Sequence, residues 1–166
     1  MRNRSRFLAH GALIAALYVA LTHGQNLLFP NSATMAIQFR VSEALCVLAF
    51  FTPAAIPGLA LGCMLFNITF SGALPLDFLV GSLASLLAAV CMWKLKQHPA
   101  IGLAMPAVFN ALLVGWELTV YIGQAFWLNA LFVAIGEIVV LYTLGWVLYA
   151  ALKRRNLYLR LFPTEQ

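Results

Sequence analysis

The sequence predicts an all-α integral membrane protein, a six transmembrane helix bundle with its N- and C-termini cytoplasmic. Three observations predict it: 63% of the 166 residues are hydrophobic, only 9% are charged, and the apolar residues fall in six continuous runs. A soluble domain carries about 25% charged residues, whereas ten Lys and Arg and five Asp and Glu serve this whole chain. They are too few to solvate a globule, and the mean hydropathy of +0.92 agrees.

A crossing takes about 20 mainly apolar residues, so this length holds at most about seven. The expected spans are 7–22, 37–51, 56–70, 76–93, 101–122 and 126–152, a single membrane domain over 1–166. The first follows Arg2, Arg4 and Arg6, as a cleavable signal peptide would. No small-x-small cleavage site precedes a mature domain, however, and losing the segment would put the basic C-terminus on the wrong side. Spans two and three are short and meet at a turn marked by Pro53 and Pro57; Pro75 precedes the fourth and Pro99 the fifth. Pro106 lies inside the fifth and is expected to kink it, because proline lacks an N–H and crowds the preceding turn. The runs do not alternate, which argues against a transmembrane β-barrel.

Lys and Arg set the orientation. With the N-terminus inside, the inner segments hold Arg2, Arg4, Arg6, Lys94, Lys96, Lys153, Arg154, Arg155 and Arg160, nine of the ten basic residues, as the positive-inside rule requires. The net charge of +5 is therefore a topology signal and not a nucleic-acid footprint. The cytoplasmic membrane of the cell, crossed by a multi-pass chain, is the expected location.

Arg40 is the exception, at the outer end of the second span. Apart from Glu165 in the tail, the acidic residues Glu43, Asp77, Glu117 and Glu137 all lie in or at the ends of spans. Glu43 and Glu117 stand about six and five residues from outer ends, Asp77 at an outer end, and Glu137 about 16 Å into the sixth span, near the midplane. An ionisable residue at that depth costs about 2.5 to 3.5 kcal/mol and usually faces a bundle interior or a cavity. One reading is structural: Arg40 and Glu43 pair at i and i+3, and Glu137 holds helices together. The other is an outward-open cavity binding a small molecule that brings hydrogen-bond donors or positive charge.

Polar neighbours extend the second reading. Asn110, Glu117 and Tyr121 at i, i+7 and i+11 suggest one face, and Trp127, Ala134 and Glu137 suggest another stripe. Trp116 is a further aromatic candidate, Trp127 equally suits a membrane-interface anchor, and Asn67 places an amide in the third span. Ala12, Ala16 and Ala20 form a regular ridge on the first span that either packs internally or docks another subunit, while Gly58 and Gly62 suit internal packing. The isolated Cys46, Cys63 and Cys91 read as packing residues, and His10, His23 and His98 lack metal-ligand spacing. No metal site or catalytic residue is expected. There is no GxxxxGK[ST], GxSxG or HExxH sequence, so ATP-driven work would need partner subunits.

The runs "IQFRVSEAL" (37–45), "PAAIPGLALGCMLFN" (53–67), "DFLVGSLASLLAA" (77–89), "FNALLVGWEL" (109–118) and "VAIGEIVVLYTLG" (133–145) together resemble the QueT family of predicted queuosine-precursor transporters. The resemblance covers the chain from the first span to the sixth. It departs at 24–36, a longer segment than the family pattern has, and at Ser85, where threonine is expected. Membership implies a substrate-binding S component of an energy-coupling factor (ECF) transporter that takes a 7-deazaguanine such as preQ0, preQ1 or queuine. The implied partners are a membrane scaffold (T) subunit and two ATPase (A) subunits, with ATP used by those partners and no cofactor in this chain. The resemblance assigns scaffold contact to Ala12, Ala16 and Ala20.

On that basis Glu43, Glu117 and Glu137 are the candidates to accept hydrogen bonds from the ligand's N1 and 2-amino groups, or to pair with an aminomethyl cation. Arg40, Asn67 and Asn110 are candidates to donate to its exocyclic oxygen, Trp116, Tyr121 or Trp127 to stack on the ring, and Asp77 to line the site. A structural membrane subunit without ligand and a self-sufficient ion-coupled carrier are the alternatives.

Overall fold

A computed structural model describes residues 2–30, 32, 39–70, 73–154 and 156–162. Residues 37 and 38 of the expected second span, Arg155 and Glu165 lie outside them.

Helix α1 (Arg2–Leu28) runs beyond the expected first span. Its polar end finds partners on neighbouring elements: Thr22 Oγ1 donates to Ser42 Oγ at 2.7 Å, and His23 Nε2 lies 2.9 Å from Thr69 Oγ1. The second run is a ten-residue 3₁₀ helix (Val41–Phe50), about 20 Å long at roughly 2.0 Å per residue. That is short of the roughly 30 Å of hydrocarbon. Eight of its residues are buried, and it touches α1 and the helices introduced below on all sides. Its continuous hydrophobicity reflects a place at the bundle centre, surrounded by protein instead of lipid.

Helix α2 (Ala55–Thr69) follows a turn in which Thr52 Oγ1 accepts the Ala54 N–H at 3.1 Å. Contacts of Gly11 with Gly58, Tyr18 with Gly62 and His23 with Thr69 advance together along both helices, so α1 and α2 are parallel. The chain returns between them through the 3₁₀ helix. A Cβ on Gly58 would sit 2.7 Å from the Gly11 carbonyl oxygen, and one on Gly62 2.7 Å from Tyr18 Cβ. The glycine pair packs internally, as expected.

Helix α3 (Asp77–Lys94) starts on an acidic residue and ends on a basic one, matching the helix dipole at both ends. The expected fifth span divides into α4 (Pro99–Gly102) and α5 (Met105–Ile122). Pro106 therefore does not kink a helix interior: it occupies the first turn of α5, where a missing N–H costs nothing. Helix α5 ends at Gly123, whose φ of 76° is the left-handed cap conformation that glycine adopts freely. The sixth run is helical throughout, as α6 (Phe126–Val140), one π turn (Leu141–Gly145) and α7 (Trp146–Arg154), and a short α8 (Leu157–Leu161) follows.

Among the described residues, four segments are long and apolar enough to cross a membrane: Arg4–Leu28, Asp77–Lys94, Pro99–Ile122 and Phe126–Arg154. Val41–Phe50 and Ala55–Thr69, counted as full spans from the sequence, are shorter. Helix α1 packs on α2, α2 on α3, α3 on α5 and α5 on α6. The His10 ring meets Phe162 edge-on at 5.1 Å, bringing the start of α1 and the C-terminal segment to one end of the bundle.

Gly62→Val should lower the melting temperature of the purified protein, by an overpacking cost of about 1 to 3 kcal/mol. A Cβ on Gly24 meets nothing within 4 Å, so Gly24→Ala should leave the melt unchanged or slightly raised. Equal melts for Gly62→Val and wild type would contradict the close α1–α2 approach.

Candidate functional site

The site begins at Arg40. It is extended (φ −102°, ψ 102°) immediately before the 3₁₀ helix, so it stands just outside the helix that carries Glu43, with which it interacts electrostatically. Gln25 of α1 brackets it: its Nε2 donates to the Phe39 carbonyl and, at 2.8 Å, to Ser32 Oγ, while its Oε1 accepts the Val41 N–H at 2.7 Å. The amide thus grips the backbone on both sides of Arg40. The side chain lies over the Phe66 ring, 5.8 Å from its centre, with Nη1 3.9 Å from Cys63 Sγ.

Four elements present carboxyl groups to that guanidinium. Arg40 interacts electrostatically with Glu43 and Asp77, and likewise with Glu117 and Glu137. Glu43, in the first turn of the 3₁₀ helix, accepts from Tyr18 Oη at 2.5 Å and from Cys46 Sγ at 3.1 Å. Asp77 sits at the N-terminus of α3 and accepts the Leu74 N–H at 3.2 Å. Asn67 Nδ2 donates to the Asp77 carbonyl at 2.9 Å, joining α2 to α3. Asn110 Nδ2 donates to Glu137 Oε1 at 2.9 Å, joining α5 to α6. Glu117, on α5, lies beside Asp77.

This cluster is sealed. Arg40, Glu43, Asn67, Asp77, Asn110, Glu117 and Glu137 each expose 6% of their surface or less. Inside it, Glu137 Oε2 and Asn67 Oδ1 have no hydrogen-bond partner, and no N–H donor reaches Glu117 Oε1 or Oε2, which have the Asp77 carboxyl beside them. All four atoms are acceptors. A buried polar atom left unpartnered costs about 1 to 3 kcal/mol, and a set of this kind is able to accept several N–H donors.

The aromatic candidates do not join it. Trp116, Tyr121 and Trp127 are 53%, 42% and 78% exposed. Trp116 precedes Glu117 by one residue, about 100° around the helix, and Trp127 is ten positions before Glu137, about 80° around the helix and about 15 Å along it. Tyr121 shares the angle of Asn110 but lies in a run, 120–125, that is exposed throughout. The rings that do approach belong to Phe66 and Tyr18.

Sequence reasoning passed over Tyr18, Gln25, Cys46 and Cys63 as site residues. Tyr18, Thr22 and Gln25 stand at i, i+4 and i+7, a polar helical stripe that could have revealed the first two. Cys46 and Cys63 are buried, as packing residues should be, but their sulfurs touch the polar cluster. Ala12, Ala16 and Ala20 are exposed, since the packed face of α1 carries Gly11, Ile14, Ala15 and Tyr18. The ridge takes no part in internal packing.

An all-helical, strongly apolar chain whose described acidic residues are all gathered inside the bundle belongs to the multi-pass membrane proteins, and its buried site is of the kind that receives a solute. The chain is a member of the QueT transporter family, whose profile matches residues 8–154. No curated protein and no solved structure gives a match.

Tyr18→Phe removes a bond to a buried carboxylate and should lower stability by about 1 kcal/mol, within the range for hydrogen bonds inside membrane proteins. The check is a thermal melt in detergent, and an unchanged melt would mean that Glu43 is held by other groups.

Proposed function

We propose that the chain is the substrate-binding S component of an ECF transporter for a 7-deazaguanine queuosine precursor. It crosses the cytoplasmic membrane six times, the 3₁₀ helix and α2 serving as the two short passes, with both termini inside. The parallel course of α1 and α2 supports six passes. The gathering of Arg4, Arg6, Lys94, Lys96, Lys153, Arg154 and Arg160 at one end supports the orientation.

The observation that carries the reading is the set of acceptors on Glu117, Glu137 and Asn67 that no N–H donor reaches. The guanine-like edge of a 7-deazaguanine offers an N1–H and a 2-amino group side by side, and a carboxylate with both oxygens open accepts them as a pair. Glu117 is placed in that role. Glu137 Oε2 and Asn67 Oδ1 take further donors, including an aminomethyl cation where the ligand has one. Arg40 donates to the exocyclic oxygen, while Glu43, Asp77 and Asn110 hold the surrounding groups in position. Because the cluster is sealed, loading requires the bundle to open.

The sequence contains no phosphate-binding GxxxxGK[ST] loop, so two ATPase subunits supply the energy through a membrane scaffold subunit. The exposed ridge of Ala12, Ala16 and Ala20 is a surface on which a scaffold helix can approach closely.

Calorimetry of the purified protein with preQ0, preQ1, queuine and guanine should show tight binding of one deazapurine. Glu117→Gln and Glu137→Gln should each weaken it about ten- to hundredfold, the range for a charge-assisted hydrogen bond. Absence of binding by folded protein, or full affinity in both variants, would sink the reading. Ala16→Leu should reduce recovery of the scaffold and ATPase subunits while leaving ligand affinity intact; undiminished assembly would move the docking surface elsewhere.

A further inference from the structure

At the end of the bundle away from the carboxylates lies a second cavity, of about 390 Å³. Phe51 from the turn after the 3₁₀ helix, Lys96 and Gln97 from the turn after α3, Tyr149 and Lys153 from α7, and Tyr158 from α8 line it. Its floor is aromatic: the Phe51 ring stacks on Tyr149 at 5.5 Å and meets Tyr158 at 5.0 Å. Its rim is cationic. Lys153 Nζ donates to Tyr149 Oη at 3.2 Å, and the Lys96 ammonium stands 4.4 Å above the Trp93 ring.

Among the described residues no acid answers these charges. Among the described residues Glu43, Asp77, Glu117 and Glu137 are the acidic side chains, and all belong to the buried cluster described above. The Tyr149 hydroxyl accepts from Lys153, which leaves its own proton to give to an oxygen. Two ammonium groups, a phenol donor and an amide around a space of this size suit a tetrahedral oxyanion, since lysine binds phosphate as a point charge.

We propose that this cavity binds the phosphate of an anionic phospholipid headgroup. Lys96 and Lys153 flank the phosphate, Tyr149 donates to it, and the aromatic floor receives the glycerol and the first methylenes. The lipid is favoured over a soluble phosphate because the basic end of a bilayer-crossing bundle lies at headgroup depth and because tyrosine rings suit the interface between headgroups and chains. The inference is independent of what the buried carboxylates bind.

Native mass spectrometry and thermal melts of the full chain in neutral detergent test it, with phosphatidylglycerol, phosphatidylcholine or inorganic phosphate added. Phosphatidylglycerol should be retained and raise the melt, whereas phosphatidylcholine should do neither. Lys96→Gln with Lys153→Gln should cut retention about a hundredfold, at roughly tenfold for each charge-assisted contact to the phosphate that is lost. Lys94→Gln, an exposed lysine that does not line the cavity, is the control and should leave retention unchanged. Equal retention of both lipids, an unaffected double variant, or an equal loss in Lys94→Gln each overturns the proposal. Stabilisation by inorganic phosphate alone, matching that by phosphatidylglycerol and lost in the double variant, keeps the phosphate chemistry but overturns the lipid as its source.

Discussion

The constraint on which the structure depends is the cost of holding a guanidinium and several carboxyl groups inside an apolar bundle. Arg40 is buried, and a charge in such surroundings persists only among opposite charges and hydrogen-bond partners. No single helix can supply those. The solution sets Glu43 of the 3₁₀ helix, Asp77 of α3, Glu117 of α5 and Glu137 of α6 within electrostatic reach of Arg40. Meeting that requirement ties the elements together from within, while the cross-links Asn67 to Asp77 and Asn110 to Glu137 fix two helix pairs.

A central helix demands close packing around it, and small residues make this feasible. Gly58 and Gly62 bring α2 against α1, Gly102 lets the Phe50 ring lie on the α4 backbone, and Gly115 meets Ala130 between α5 and α6. Without a hydrophobic drive between helices in lipid, such contacts and interhelical hydrogen bonds are what hold a bundle together. Other large apolar side chains are turned outward: leucines at 13, 17, 79, 83 and 131 are exposed, the arrangement suited to acyl chains.

The result is a molecule with two chemically opposite ends. One half encloses the acidic cluster and the acceptors that no N–H donor reaches; the other carries exposed Lys and Arg over an aromatic floor. Positive charge at one end is the pattern that orients membrane chains, and ionisable groups buried at depth are the pattern that marks a candidate solute site. The two features occupy different parts of the same six helical runs and do not compete for residues.

Much of this was legible in the sequence because composition and run length report directly on the solvent a segment meets. The helical class, the positions of the apolar runs, the membership shown by the ordered motifs and the burial of Arg40, Glu43, Asn67, Asp77, Asn110, Glu117 and Glu137 all follow from polar groups being rare and costly in a bilayer. Hydrophobicity does not distinguish lipid from protein interior, so the 3₁₀ run read as an ordinary span although it is a core element. Periodicity along one helix did not reveal where its neighbours end, and Trp116, Tyr121 and Trp127 therefore fell outside the site. Only the tertiary structure decided that Tyr18 and Cys46 hold Glu43, that Gln25 grips the backbone around Arg40, and that the alanine ridge faces outward. The Tyr18 and Gln25 bonds depend on which residues of separate segments come within about 3 Å of one another, a distance that hydrogen bonding requires, and the ridge faces outward because of where the neighbouring helices pack; no single segment encodes either.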